Sequence, residues 1–152
     1  MRRVLMLPVV VALVGCAKAE APPADTAVAA APVAPAPSVT EADVAGTWTG
    51  TSSPMGSDSV MAKWTQVCAA GSCKGTSEGS KVTIQSTYTL AGDSSVGISK
   101  PYTQPSIKGG QIIDTWVAHL NGDSVTGTGT MKLASNPDSV VMRYSFAGSR
   151  KR

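Results

Sequence analysis

The stretch Val82-Thr83-Ile84-Gln85-Ser86-Thr87-Tyr88-Thr89-Leu90 alternates between a mainly apolar face and a face of Thr and Gln. A period of two is typical of a β-strand, because successive side chains point to opposite faces. Residues 125–133 and 140–146 repeat the pattern, and no segment sustains a helical period. The sequence therefore predicts a fold built from short strands.

Strong turn signals separate these runs. Ala91-Gly92-Asp93, Asn121-Gly122-Asp123 and Asn136-Pro137-Asp138 each combine residues that favour tight turns. Eight strands are predicted between such signals, over residues 46–52, 59–67, 74–78, 82–91, 95–99, 111–120, 124–134 and 139–148.

Eight short strands joined by tight turns favour an all-β fold, an eight-stranded antiparallel up-and-down barrel. An open β-sandwich is the alternative arrangement. The predicted barrel domain covers residues 41–149, and residues 150–152 form a basic tail.

The first predicted strand carries a family resemblance. Gly46-Thr47-Trp48 resembles the Gly-x-Trp opening of lipocalins and their calycin relatives. In those barrels the Trp closes the floor and an Arg of the last strand packs over it. The resemblance implies that Trp48 is a structural anchor and that Arg143 is its partner. Alternation places Arg143 on the face opposite Met142 and Tyr144, so a solvent-facing Arg143 is the alternative.

The amino terminus has the pattern of an export signal. Arg2 and Arg3 precede an apolar run over residues 4–14, which is too short to span a bilayer as a helix. The run ends in Leu13-Val14-Gly15-Cys16, which resembles the bacterial lipobox. Residues 1–15 are therefore predicted to be a signal peptide. The resemblance implies cleavage before Cys16 and lipidation of that residue.

Residues 16–40 are predicted to be the lipidated Cys followed by a tether. Residues 17–37 are rich in Ala and Pro, and Pro at this density prevents a helix and favours an extended chain. A lipid at its start implies a partner, the membrane. The predicted location is the cell envelope, lipid-anchored and in the outer membrane.

The cysteines fit an oxidising compartment. With Cys16 lipidated, Cys68 and Cys73 remain, separated by Ala69-Ala70-Gly71-Ser72. An exported pair at the tip of a hairpin favours a disulfide. The spacing and the following Lys74 do not match a haem attachment motif, and a structural zinc site needs more ligands than two Cys and one His. No cofactor and no metal are predicted.

Catalytic groups are sparse, and no enzyme is predicted. His119 is the single histidine, and alternation turns it to solvent. Neither a nucleophile elbow nor a phosphate-binding loop is present. Asp114 shares a strand face with Trp116 and is the one acid expected to be buried. Glu78 is the second candidate for a carboxylate pair.

The charge of the domain excludes one class of partner. The chain has a formal net charge of +3, but Arg2, Arg3 and the tail supply much of the positive charge. Basic and acidic residues nearly balance over residues 41–149. A nearly neutral domain has no electrostatic footprint for nucleic acid.

Two functions remain. In the first, the domain is a non-enzymatic interaction or accessory module that binds another envelope protein. In the second, the barrel binds a small apolar ligand, and its mouth is lined by aromatic residues and one acid. The ligand-lining residues predicted for the second function are Trp64, Tyr88, Asp114, Trp116 and Tyr144.

Overall fold

The computed structural model describes residues 38–107 and 110–152. The predicted signal peptide, Cys16 and most of the predicted tether lie outside the described residues.

The described chain is almost entirely strand. One short helix, α1, precedes nine strands, and each of the eight predicted strands is present with ends displaced by at most three residues. The elements are α1 (Glu41–Val44), β1 (Gly46–Pro54), β2 (Ala62–Ala69), β3 (Ser72–Ser77), β4 (Thr83–Ala91), β5 (Ser94–Ser99), β6 (Tyr102–Thr103), β7 (Gln111–Asn121), β8 (Ser124–Leu133) and β9 (Asn136–Arg150).

The sheet closes into a barrel. Its neighbours follow the order β5-β4-β3-β2-β1-β9-β8-β7-β6, every pair is antiparallel, and β5 also pairs with β7. That last pairing joins the two ends of the sheet. Eight strands form a closed up-and-down barrel and β6 is an additional short strand, which confirms the predicted barrel and excludes the open sandwich.

Helix α1 and strand β6 were not predicted. Thr40 caps α1: its backbone N–H and its hydroxyl both donate to Asp43 Oδ2, at 2.8 and 2.6 Å. A four-residue helix has no periodicity to detect. Among the described residues, no helix has the length and apolar character needed to cross a membrane.

The hydrophobic core lies at the end of the barrel where α1 is packed, called the floor below. Val44 of α1 is buried there beside Trp48, with Tyr88, Ala118 and Val125 from three other strands. The opposite end of the barrel carries β6 and the residues after it. The floor is therefore the packed end, and the other end is the place for a site.

A disulfide joins β2 to β3 at the floor, as predicted. Cys68 and Cys73 are direct partners in the antiparallel register, and their sulfurs are bonded. Ala70 and Gly71 form the hairpin tip between them, both with positive φ. Gly adopts this conformation without strain, which explains Gly71 at the second position.

Candidate functional site

Aromatic rings inside the barrel lie over glycines of neighbouring strands. Trp116 on β7 is in register with Gly97 on β5, and a Cβ at Gly97 would collide with the indole. Tyr144 on β9 covers Gly129 on β8 in the same way. These glycines let a large ring approach the backbone of the next strand.

Two further rings share this arrangement. Phe146 lies over Gly127, and Trp64 lies against Gly50 and Gly148. The Trp64 and Phe146 rings meet edge to face with their centroids 6.2 Å apart. Because the rings cover the wall instead of projecting across the barrel, the centre stays open. Gly127 and Gly129 of β8 are thus covered by the phenyl and phenol rings of β9.

The centre of the barrel contains a cavity of about 370 Å³. It extends from Val44 and Trp48 at the floor to Tyr102 and Ile107 at the opposite end. Its apolar walls include Trp64, Trp116, Phe146, Met131 and Met142, and its polar lining includes Ser52, Gln66, Ser86, Ser95 and Asp114. The volume is at the small end of the range for ligand pockets.

Asp114 is the buried acid of the cavity. Its side chain is on the inner face of β7, and the residue is only 8% exposed. The Tyr144 hydroxyl donates a hydrogen bond shared between Oδ1, at 2.9 Å, and Oδ2, at 2.7 Å. Burial raises the pKa of Asp114 to about 7, and the bond from Tyr144 opposes that rise.

An irregularity in the sheet fixes the position of Asp114. Ile98 pairs with Thr115 and Tyr102 pairs with Ile112, so three residues on one side oppose two on the other. The Asp114 N–H donates to Ser99 Oγ at 2.8 Å instead of to a backbone carbonyl of that side. Such a bulge bends the strand and turns a side chain in a new direction.

Tyr102 is the functional candidate that sequence reasoning missed. It comes after the bulge, it is buried, and it lines the cavity near Asp114. Burial, and then the nearby Asp114 charge, raise the pKa of Tyr102. The only signal in the sequence was an aromatic residue directly after Lys100-Pro101, in a segment without periodicity.

The floor contains the predicted anchor, with a different arginine. The Trp48 indole N–H donates to the Val44 carbonyl at 2.8 Å, and Arg150 lies over the ring with its guanidinium carbon 4.7 Å from the centroid. Arg150 also donates to the carbonyls of Ala45 and Asp43. The proposed partner Arg143 is exposed, as alternation along β9 required.

Strand β9 extends beyond the end of its predicted strand. Arg150 is the last residue of β9 and was predicted to belong to a basic tail. Its Nε lies 3.5 Å from Asp123 Oδ1, and Arg152 donates to the other oxygen of that carboxylate. Arg150 is therefore part of the floor, where its guanidinium group lies over Trp48. Its inward direction follows from alternation along β9, because residues 144, 146, 148 and 150 share one face of the strand.

Four of the five predicted ligand-lining residues do line the cavity: Trp64, Asp114, Trp116 and Tyr144. Tyr88 does not. It is buried in the core at the floor, where its hydroxyl donates to Glu41 Oε1 at 2.5 Å. Alternation along a strand predicts whether a side chain points into the barrel, but not how far it lies from the floor. The inward direction of Tyr88 was therefore predicted correctly, whereas its position at the floor was not.

Asp93, Ser94 and His119 form a polar cluster outside the cavity. Ser94 Oγ donates to Asp93 Oδ1 at 2.7 Å and lies 2.9 Å from His119 Nδ1. Asp93 lies 3.9 Å from that same ring nitrogen, so it does not orient the imidazole through the other nitrogen as a triad requires. Glu78 is exposed and paired with Lys63, and it does not line the cavity that contains Asp114.

No group of side chains that could hold a metal ion is found in residues 38–107 and 110–152. No protein-family model, curated protein or solved structure matches this chain.

Proposed function

We propose that the chain is a lipid-anchored lipoprotein of the cell envelope whose barrel binds a small, largely apolar molecule. The observation that carries the ligand proposal is the cavity of about 370 Å³ inside the closed barrel. Eight strands leave an interior that is either filled by side chains or large enough for one small ligand.

The inward-facing residues favour an interior with room for a ligand over one filled by side chains. Ser52, Ser86 and Ser95 occupy inward positions on three strands where Leu or Ile would fill the interior. The large rings of Trp116 and Tyr144 lie over glycines at the wall. Small polar residues and flat rings together leave the centre without the close packing that a protein core requires.

The lining suits a ligand with an apolar body and one polar group. Trp64, Trp116 and Phe146 offer apolar surface, and Asp114 and Gln66 offer polar contacts at separate points. Ligand pockets commonly combine a mainly apolar lining with a few polar groups that fix orientation.

The envelope location is proposed from the sequence. Residues 1–15 have the charge and apolar run of a signal peptide, and Leu13-Val14-Gly15-Cys16 resembles a lipobox. Several acyl chains on Cys16 would hold the chain firmly in a bilayer. Replacing Cys16 by Ser in the expressed precursor should abolish incorporation of labelled fatty acid. A variant that still incorporates label and partitions into detergent contradicts the lipoprotein proposal.

Ligand binding is tested with a neutral apolar fluorophore, N-phenyl-1-naphthylamine, titrated into the purified protein. We expect saturable enhancement of its emission. The test variant is Ser86→Leu, which projects a larger apolar side chain into the cavity. The matched control is Thr87→Leu, which adds the same side chain to the exposed face of β4.

The two variants separate a cavity from a packed core. With a cavity, Ser86→Leu should weaken fluorophore binding at least tenfold and leave thermal stability unchanged or higher. Thr87→Leu should bind like the original protein. A packed interior instead predicts no binding and a loss of about 1–3 kcal/mol for Ser86→Leu through overpacking.

A second candidate function is the non-enzymatic interaction module, with another envelope protein as the partner. It is favoured by apolar side chains on the outer face: Val96 and Ile98 on β5 are 40% and 50% exposed, and Val117, which pairs with Val96, is 37% exposed. Native mass spectrometry of the protein extracted from envelopes separates the candidates. An added mass of a few hundred daltons supports the ligand, and a stoichiometric protein adduct lost in Val96→Thr supports the partner.

A further inference from the structure

The described part of the cavity lining contains an acidic residue and no basic residue. Asp114 is an acid, and no Lys, Arg or His is present among the described residues that line the cavity. A buried carboxylate without a cationic partner is costly, and it is usually relieved by protonation or by a positive group. Within residues 38–107 and 110–152, the cavity lining therefore offers Asp114 no positive group.

The carboxylate also has unused hydrogen-bonding capacity. An ionised carboxylate offers about four lone-pair sites. Among the described residues, Tyr144 is the single side chain that donates to Asp114, and its hydroxyl shares one proton between the two oxygens. Room therefore remains for donors that come from a ligand.

The surroundings of Asp114 suit a cation with an apolar body. Tyr144 on β9 and Tyr102 on β6 are the titratable groups that face it, Ser99 of β5 holds its backbone, and Met131 is its register partner on β8. Both tyrosines stay neutral because burial raises the pKa of each. Aromatic rings that line the same cavity as a carboxylate favour an ammonium group.

We infer that the ligand is a small primary amine, whose ammonium group is held by the Asp114 carboxylate while its apolar body lies between the aromatic rings of the cavity. This inference rests on the proposed function. The inference argues against a fatty acid as the ligand. The carboxylate of a fatty acid would be repelled by the like charge of Asp114, and the described cavity lining has no cation to offset that repulsion.

The test compares matched ligands that differ only in the head group. Octylamine, 1-octanol and octanoate share one chain length and are titrated by calorimetry at pH 8. The test variant is Asp114→Asn, which keeps the shape of the side chain and removes the charge. Asp58→Asn is the control, since Asp58 is an exposed acid in the loop between β1 and β2.

We expect octylamine to bind at least tenfold more tightly than 1-octanol, and octanoate more weakly than both. Asp114→Asn should remove the preference for the amine and leave 1-octanol binding unchanged. Asp58→Asn should change neither. Lowering the pH to 5 should reduce the preference for octylamine over 1-octanol toward that of Asp114→Asn, because Asp114 takes up a proton, and 1-octanol binding should be unaffected.

The possible failures are distinguishable. If octylamine and 1-octanol bind equally to the original protein, or Asp114→Asn retains the preference for the amine, the inference about amines is wrong and the cavity still binds ligands. If octanoate binds best, the inference is likewise overturned. If no member of the series binds and Ser86→Leu does not alter fluorophore binding, the proposed function fails as well.

Discussion

The guanidinium group of Arg150 lies over the indole of Trp48, with 4.7 Å between the guanidinium carbon and the ring centroid. The two residues come from the last and the first strands of the barrel, which are neighbours in the sheet. Arg150 therefore joins the ends of the barrel domain across the floor, and the stability of the domain should depend on this contact.

Trp48 should be a main source of stability. It is 4% exposed, and its indole N–H is bonded to Val44. Trp48→Ala should cost about 3–5 kcal/mol, measured by urea unfolding. Trp64→Ala, at a partly buried ring that lines the cavity, should cost less. Equal losses for the two variants would contradict the assignment of Trp48 as the anchor.

Arg150 should contribute to the stability of the barrel, and Arg143 should not. Arg150→Gln loses the contact with Trp48 and charged hydrogen bonds to the carbonyls of Asp43 and Ala45, which should cost about 2 kcal/mol. Arg143→Gln removes the same charge from an exposed position and should stay within about 0.5 kcal/mol. Thermal unfolding of the two variants checks this, and a larger loss for Arg143→Gln would refute it.

Asp114 should make the protein less stable as the pH rises. Its pKa is raised to about 7 in the folded state, from an ordinary value of 3.8. The folded protein binds the Asp114 proton more tightly than the unfolded chain does. The contribution of protonated Asp114 to the free energy of unfolding is therefore complete below about pH 4, and it is lost progressively as the pH rises through about 7. The loss approaches about 4 kcal/mol.

Asp114→Asn isolates this effect from the other acids. The difference in free energy of unfolding between the original protein and Asp114→Asn should change by that amount between pH 4 and pH 8, with the variant favoured at pH 8. The measurement is urea unfolding across this range. A difference that is independent of pH would show that Asp114 is ionised normally in the folded protein.

Gly97 should not tolerate a methyl group. A Cβ there would collide with the Trp116 indole, so Gly97→Ala should cost about 1–3 kcal/mol and shift the tryptophan emission. Gly75→Ala is the control, because its Cβ would make ordinary contacts no closer than 3.7 Å. The double variant Gly97→Ala with Trp116→Ala should cost less than the sum of its parts. Additive losses would contradict the contact.

Cys68 and Cys73 should be unreactive. They are bonded to each other and buried, so a maleimide should add nothing to the unreduced Cys16→Ser protein. Replacing both by Ser should cost about 2 kcal/mol, since the closed loop is short. Two adducts before reduction would show that the bond does not form.

The strands could be predicted because their signal is local. Alternation within each run identifies the inner face, and it assigned Asp114 to the interior together with Trp116. It also placed Arg143 outside. Alternation along β9 also places Arg150 on the same inner face as Tyr144. The predicted strand ended at residue 148, however, so the prediction did not include the arginine that packs on Trp48.

The rest depends on pairing between distant strands. The contact of Trp116 with Gly97 depends on the register between β5 and β7, the pair of strands that closes the barrel. The sequence of neither strand by itself contains a signal for that register. Tyr102 reaches the cavity because a bulge opposite Asp114 sets its direction. Pro101, which cannot donate a hydrogen bond, marks that interruption in the sequence without showing that the next residue turns into the barrel.

Strand β6 has a consequence for the speed of ligand exchange. It consists of two residues, Tyr102 and Thr103, and it pairs with β7 alone, so its other edge has no partner strand. Separating it breaks a single short ladder, whereas separating any other strand breaks at least two longer ones. Local opening of this kind costs far less than global unfolding. If the barrel binds a ligand as proposed, we expect that ligand to enter and leave beside Tyr102, at a rate set by the local opening of β6 while the eight-stranded ring stays closed.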